Sequence, residues 1–219
     1  MGDNFRIDHH KINYHVDRLH SWLHKETVYP VYMEIAPTGA CNHRCTFCAV
    51  DYIGYKTIFL DKEILKTQLT EMGRLGVKSI MYAGEGEPLL HANLPEIINH
   101  TRKSGIDISI TTNAVPMTEK WLQSALKDIT WIKVSINAGT PATYAKIHQT
   151  KKDDFYKVVS NLETAIQIRA QKKLGCVIGS QMVLLPENKC EATNLARQMK
   201  SIGCDYLVVK PYSQHKKSI

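Results

Sequence analysis

Apolar runs recur along the chain about every 30 residues, which is the size of a strand-helix unit. Six runs are rich in β-branched and aromatic residues and predict strands at 31–36, 77–83, 106–112, 130–136, 176–185 and 205–210. Between several of them the apolar positions follow the helical period, as in the stretches 64–75, 155–166 and 195–202. A further helix is predicted around Tyr14–Leu23.

Capping residues mark the ends of these helices. Asp61 and Thr118 are predicted N-caps, and Asn188 with Glu191 three residues later has the spacing of a capping box. The glycines at 76, 175 and 203 stand where a helix would end before a strand. The segmentation into alternating strands and helices is therefore supported by the periodicity and by the caps.

Alternating strands and helices predict an α/β fold with a parallel sheet and right-handed crossovers. Six units are compatible with a doubly wound open sheet or with a partial barrel, because a closed barrel needs eight units and roughly 250 residues. In both arrangements ligands bind beyond the carboxyl ends of the strands. We expect an N-terminal helical extension at 1–30, a core at 31–212 and a basic tail at 213–219.

Composition places the 219-residue chain among globular proteins, with 43% hydrophobic and 22% charged residues. It has no apolar stretch of membrane-spanning length and no secretory h-region, so a cytoplasmic protein without membrane contact is expected. The formal charge is +7, but the cations are scattered and not interleaved with aromatics. This pattern makes nucleic acid an unexpected partner. His20 and His24, without a nearby third ligand, are expected to form a surface pair.

Three of the six cysteines fall within eight residues, at Cys41, Cys45 and Cys48. A small secreted disulfide scaffold does not fit a chain of this length and periodicity. Thiolates at this spacing in a loop can converge on one inorganic centre, and three cysteines leave one iron of a cubane cluster open to a ligand. The alternative is a structural zinc site completed by His43 or another histidine.

The Cys41-x3-Cys45-x2-Cys48 spacing, with Phe47 before the last cysteine and a strand before the loop, resembles the radical S-adenosylmethionine (SAM) enzymes. The resemblance implies a partial (β/α)6 TIM-like barrel in which the three cysteines hold a [4Fe-4S] cluster. It further implies that SAM chelates the fourth iron and that Phe47 lies near the adenine.

A second loop, Gly84-Glu85-Gly86-Glu87-Pro88, is similar to the Gly-Gly-Glu-Pro segment of the same family. Its glycines permit close backbone approach and its proline fixes the turn, so that carbonyls and Glu87 can face the amine of SAM. The resemblance also assigns polar positions at later strand ends to the ribose and carboxylate of SAM. The polar candidates are Asn113, Ser135, Asn137 and Gln181, and the apolar Val183 is a further candidate on the fifth strand. Ser135 and Asn137 are alternate residues and are expected to share one side of their strand.

The family resemblance implies a reductive reaction. An electron from a flavodoxin or ferredoxin would reach the cluster, SAM would be cleaved, and the 5′-deoxyadenosyl radical would abstract hydrogen from a substrate. No motif identifies that substrate, which could be a peptide, a sugar or another small metabolite. Glu34 and Lys210 are polar residues in otherwise apolar strands, so they are candidates to contact substrate or SAM, or to pair with each other.

The core resembles that of SPASM/twitch-type members, which carry auxiliary clusters in a C-terminal domain, but the sequence ends nine residues after Lys210. We expect either a minimal enzyme or a partner protein that covers the open barrel. Cys176, Cys190 and Cys204 lack cluster spacing and are expected to be buried thiols. Two alternatives remain open: an RNA-interacting protein with a structural metal, and a scaffold that binds cluster and SAM without turnover.

Overall fold

The computed structural model describes residues 13–50, 54 and 56–213. Helix α1 (Val16–Leu23) lies in the predicted N-terminal extension and has no buried residue. Its Arg18 donates a hydrogen bond to the carbonyl of Gly76, which connects the helix to the rest of the fold. The remainder of the extension, at 1–12, and most of the predicted tail, at 214–219, lie outside the described residues.

Six parallel strands form one sheet, and each strand pairs with the next strand along the chain. They are β1 (Tyr32–Ile35), β2 (Ser79–Tyr82), β3 (Asp107–Thr112), β4 (Trp131–Ser135), β5 (Val177–Leu184) and β6 (Tyr206–Pro211). Every one of them falls within, or one residue beyond, a predicted apolar run. In the described residues β6 does not pair with β1, so the sheet is open between its first and last strands.

Six helices follow α1 in chain order: α2 (Lys62–Arg74), α3 (Leu94–Lys103), α4 (Glu119–Ala125), α5 (Pro141–His148), α6 (Lys152–Gln171) and α7 (Ala192–Ile202). The predicted caps of α2 and α4 are confirmed. The Asp61 carboxylate accepts hydrogen bonds from two backbone amides of the first turn, and the Thr118 hydroxyl accepts one from the amide of Trp121. No helix in the described part of the chain is long and apolar enough to cross a membrane.

The predicted capping box before α7 is wrong. The Asn188 side chain accepts from the amide of Leu185 and donates to the carbonyls of Asn137 and Val183. The carboxylate of Glu191, the N-cap residue, instead binds the loop after β4. Sequence spacing alone cannot distinguish a local cap from side chains that reach a neighbouring strand end. After α6, the left-handed residue is Lys173 rather than Gly175.

The two faces of the sheet differ in burial. One face carries fully buried aliphatic residues, including Ile80, Ile110, Ile132 and Ile178, which pack against the helices in a single core. The opposite face, here called the inner face, carries the alternate residues. Strand register and burial place on it Glu34, Met81, Ser109, Trp131, Lys133, Ser135, Gln181, Tyr206 and Lys210. These side chains are half-buried or accessible rather than enclosed.

Candidate active site

The cysteine loop follows β1 and is anchored by backbone hydrogen bonds to the end of α5. The amides of Arg44 and Thr46 donate to the carbonyls of His148 and Ile147, at 3.1 and 2.9 Å. The Arg44 guanidinium donates to the carbonyls of Cys41 and His43 within the loop. The two hydrogen bonds to α5 join backbone to backbone on either side of Cys45. They fix the shape of the loop that carries the three half-buried cysteines.

His148 lies directly beside the central cysteine. Its Nδ1 is 3.1 Å from the Cys45 Sγ, and its Nε2 is 3.0 Å from the carbonyl oxygen of Ile136. The Nε2–H therefore donates to Ile136, which leaves Nδ1 free to accept from the thiol. Burial and the charge of His43 lower the pKa of His148 to about 3, so this imidazole is neutral at physiological pH.

His43, Cys45 and His148 bring one ligand atom each to within 4.8 Å of the others. His43 is 1% exposed, and its nearest charged group is Asp154, with Nε2 3.6 Å from a carboxylate oxygen. Neither ring nitrogen of His43 has a hydrogen-bond partner among the described residues. This cluster differs from the zinc alternative considered for the cysteine triplet, because it contains Cys45 alone of the three cysteines, together with two histidines. The metal content of the protein distinguishes an iron-sulfur cluster from a zinc site.

Burial disfavours the thiolate form of two of these cysteines, Cys41 and Cys45. Burial raises the pKa of Cys41 to about 11. Burial, followed by the charges of Cys41 and Cys48, also raises the pKa of Cys45. Cysteine thiols release their protons when a metal cation binds, and the resulting soft thiolates favour iron-sulfur clusters and zinc. The three thiols lie close enough to influence one another electrostatically, which fits a shared centre.

The glycine-rich loop after β2 packs directly on the cysteine loop. The amide of Glu87 donates to the carbonyl of Ala40 at 2.7 Å. A Cβ at Gly86 would lie 2.4 Å from that same carbonyl oxygen, and Gly86 has a φ of +69°. Only glycine permits this approach. The two loops singled out separately in the sequence therefore form one structural unit.

The Glu87 carboxylate points into the protein, in contrast to the expectation that it faces an amine. It accepts hydrogen bonds from the Thr112 hydroxyl at 2.6 Å, from the Asn113 amide at 2.7 Å and from the Leu89 amide at 3.1 Å. The residue is 2% exposed, and burial raises its pKa to about 7. Glu87 thus joins the ends of β2 and β3, while Gly84 and Glu85 remain exposed and Pro88 begins a buried turn.

Two of the predicted strand-end residues are also enclosed. Asn113 donates through its side chain to Asn42 of the cysteine loop. Asn137 is fully buried, and its side-chain oxygen accepts from the Val183 amide at 2.7 Å. The expectation that Asn137 shares one side of a strand with Ser135 is wrong, because β4 ends at Ser135 and Asn137 has a left-handed φ of +52°.

Ser135, Gln181 and Val183 lie on the inner face by strand register. The Gln181 side-chain oxygen is buried without a hydrogen-bond partner among the described residues. Unpaired buried polar atoms are costly, and a bound ligand is one way in which they are satisfied. The Phe47 ring makes an edge contact with His148, with 6.1 Å between centroids.

Glu34 and Lys210, the weakest predicted candidates, both lie on the inner face, and they form no ion pair with each other within the described residues. Glu34 approaches the glycine-rich loop, with its Oε1 3.9 Å from the position of a Cβ at Gly84. Lys133 of β4 shares this face and was not among the predicted candidates. Lys133 meets the criterion that selected Glu34 and Lys210, because it is a charged residue in an otherwise apolar strand.

His148 and Glu191 were missed for a different reason. The Cys45–His148 contact spans 103 residues, and no local pattern indicates it. Glu191 accepts from the Gly139 amide and from the hydroxyls of Thr140 and Thr143, all more than 45 residues away.

Of the remaining cysteines, Cys176 is buried and Cys204 half-buried, but Cys190 is exposed, which corrects the expectation of three buried thiols.

Comparison with known proteins identifies the family. Residues 35–199 match the Radical SAM superfamily. The chain is 31% identical over 134 residues to the GTP 3′,8-cyclase of Chlorobaculum tepidum, covering 60% of this chain and 40% of that protein. It is 33% identical over 139 residues to the probable GTP 3′,8-cyclase of Methanothermobacter marburgensis, covering 62% and 44%. The chain thus spans less than half the length of these relatives.

Solved structures confirm the partial (β/α)6 barrel. Streptococcus suis SuiB bound to precursor peptide SuiA superposes with a TM-score of 0.73 at 15% identity, over 97% of this chain and 46% of that one. The structure of anSMEcpe with bound AdoMet superposes with a TM-score of 0.66 at 18% identity, over 84% and 52%. Radical SAM proteins use a [4Fe-4S] cluster and SAM. With most of its length matched by the superfamily pattern, the chain belongs to the radical SAM superfamily.

Proposed function

We propose that this protein is a radical SAM enzyme in which Cys41, Cys45 and Cys48 hold a [4Fe-4S] cluster and an adjacent pocket binds SAM. The observation that carries the proposal is the direct packing of the glycine-rich loop on the cysteine loop, through the Glu87 amide and the Ala40 carbonyl. This contact brings the candidate cluster ligands and the candidate SAM loop together at the carboxyl ends of β1 and β2, where barrel enzymes bind their ligands.

When bound, the cluster and SAM supply the electron and the 5′-deoxyadenosyl radical that abstracts a hydrogen atom from an organic substrate. The protein positions these groups. Arg44 binds two carbonyls of the cysteine loop, and the end of α5 fixes the backbone on either side of Cys45. His148 contacts Cys45 and cannot supply positive charge, because its pKa is far below neutrality. These contacts orient the ligands and restrict water.

The SAM contacts divide into two groups under this proposal. The backbone carbonyls of Gly84, Glu85 and Gly86, together with Ser135, Gln181, Val183 and Phe47, would touch SAM. Glu87, Pro88, Asn113 and Asn137 have protein partners and would act by positioning the loops. Glu34 and Lys210 remain available on the inner face for substrate or SAM.

The substrate and the partners extend the proposal further. The curated relatives are named for GTP, and SuiB was solved with a peptide, so GTP and short peptides are the first substrates to test. A flavodoxin or ferredoxin in the cytoplasm would supply the electron. The open edge between β1 and β6 is where a partner protein would cover the barrel.

Anaerobic reconstitution tests the proposal. Purified protein should bind about four irons per chain, and SAM with dithionite should then yield 5′-deoxyadenosine. Cys45→Ala should lose both the iron and the product. Cys190→Ala, the same substitution at an exposed cysteine, should retain both.

Three outcomes would contradict the proposed function. Zinc instead of iron in the purified protein would favour the cluster formed by His43, Cys45 and His148 as a structural metal site. Cluster and SAM binding without any 5′-deoxyadenosine would indicate a scaffold. Identical behaviour of Cys45→Ala and the wild type would remove the cysteine loop from the chemistry.

A further inference from the structure

Two lysines point into the space enclosed by the inner face. On β4, Ile132 and Val134 are fully buried against the helices, so Lys133 between them lies on the opposite side. On β6, the Tyr206 ring stacks on Trp131 of the inner face. Lys210 follows Tyr206 by four residues and therefore shares its side of the strand.

The surroundings of Lys133 are partly apolar. Its Nζ lies 5.4 Å from the centre of the Trp131 ring, which is a cation-π distance. In strand register Lys133 neighbours Thr111 on one side and Gly179 on the other. Burial, followed by the charge of Lys210, lowers the pKa of Lys133, whereas Glu34 acts in the opposite direction. The three charged groups on β1, β4 and β6 thus act on one another across the inner face.

Positive charge is in excess in this space. Lys133 and Lys210 face the single carboxylate of Glu34, and neither ammonium group is within 4.0 Å of a carboxylate oxygen in the described residues. Glu34 has another partner, because the Tyr32 hydroxyl donates to it at 3.4 Å. Half-buried ammonium groups without a paired anion are poorly solvated and gain most from an anionic ligand.

We infer that Lys133 and Lys210 bind an anionic group of the substrate, a carboxylate or a phosphate, inside the barrel. The inference rests on the proposed function and narrows its substrate class to anions.

The carboxylate of SAM is the other possible source of this anion. Lys133 lies two residues before Ser135 on the same side of β4, which places its Cα about 6.6 Å further from the carboxyl end of the strand. The candidate SAM residues lie at the strand ends and in the loops beyond them. Lys133 therefore lies below that layer. Lys210 pairs in register with Val183 and lies level with it, so Lys133 is the lysine that separates a substrate anion from the SAM carboxylate.

Anion titration of the reconstituted protein with bound SAM tests the inference. Pyrophosphate and succinate are the two probes, and binding is measured by calorimetry for the wild type, Lys133→Met, Lys210→Met and Lys133→Arg. Lys127→Met, at an exposed surface lysine, is the matched control. SAM affinity is measured in parallel for every variant, and thermal melting verifies that each one is folded.

At least one probe should bind the wild type at a single site, and each methionine substitution should weaken it about tenfold, the usual scale for one lost charge-assisted hydrogen bond. Lys133→Arg should restore most of the affinity, and Lys127→Met should match the wild type. A loss of probe affinity at least five times larger than the loss of SAM affinity supports a substrate site.

Other results overturn the inference. No binding of either probe to the wild type, or equal binding to the methionine variants, removes the site. If the loss of probe affinity is less than five times the loss of SAM affinity, the lysines are assigned to the SAM carboxylate. Because heat of binding is measured without turnover, these results are independent of whether 5′-deoxyadenosine forms, so failure of the anion site and failure of the proposed function are distinguishable.

Discussion

In the loops that follow β2 and β3 the buried polar side chains bind protein partners, whereas on the inner face of β4–β6 the side chains of Gln181 and Lys133 each present a polar atom without a hydrogen-bond partner among the described residues. Glu87 alone accepts three hydrogen bonds there, and Asn113 reaches across to the cysteine loop. On the inner face, by contrast, the Gln181 oxygen has no hydrogen-bond partner within the described part of the chain, and the Lys133 ammonium there contacts the Trp131 ring but no carboxylate. The first region is complete without a ligand, and the second is not.

This difference separates two tasks that one barrel has to perform. The loops after β2 and β3 support the cysteine loop, whose shape must exist before a metal arrives, so they are fixed by hydrogen bonds within the protein. A region that receives a diffusible ligand keeps polar groups available, at some cost in stability. Substitutions in the two regions should therefore affect stability in opposite directions.

The largest effect is expected at Gly86. An alanine there would place a Cβ 2.4 Å from the Ala40 carbonyl oxygen in a left-handed conformation, which should cost ~3 kcal/mol of folding stability or more. Gly54→Ala is the control, because Gly54 has a similar φ of +74° but nothing within 4 Å of its Cβ position. It should cost ~1 kcal/mol. Urea unfolding measures both, and equal losses would contradict the tight loop contact.

The second-largest effect is expected on the pH dependence of folding stability, through Glu87. Its pKa of about 7 in the folded state exceeds the usual carboxyl value of 4.5, so the folded protein binds the proton more tightly than the unfolded chain. The stability gained from this proton is complete below pH 4.5 and is lost as the pH rises through about 7.

Glu87→Gln should flatten the stability profile across that range, because the amide cannot titrate. Urea unfolding at several pH values between 4.5 and 8 measures this change. Glu85→Gln, in the same loop but exposed, should leave the wild-type slope in place. A slope that persists in Glu87→Gln would assign the pH dependence to another group.

The smallest effect is expected at Gln181, and its sign is the informative part. Gln181→Met removes an unpaired buried oxygen, so the ligand-free protein should gain ~1 kcal/mol of stability. The SAM dissociation constant should rise about tenfold, because the same oxygen is proposed to bind SAM. Gln68→Met, on the exposed side of α2, should change neither. A loss of stability at Gln181 would show that the inner face is as complete as the loops.

The sequence predicted the sheet well because each strand is a short apolar run between helical stretches. The cysteine loop and the glycine-rich loop were equally predictable, since their chemistry is contained in a few adjacent residues. The orientation of Asn137 was not predictable. Its backbone is left-handed, which ends the alternation of side chains along the strand that the prediction assumed. Glu191 and His148 act across 48 residues or more, and such contacts exist only after folding.

The dependence of the cysteine loop on α5 has a consequence for the order in which the protein matures. The cysteines leave the ribosome about 100 residues before His148, whose carbonyl and imidazole hold the backbone and the thiol of the loop. A nascent chain that ends before α5 therefore carries the three thiols without the groups that arrange them. We expect cluster insertion to follow synthesis of α5, so that iron is delivered after the first four strands are made rather than to an emerging peptide.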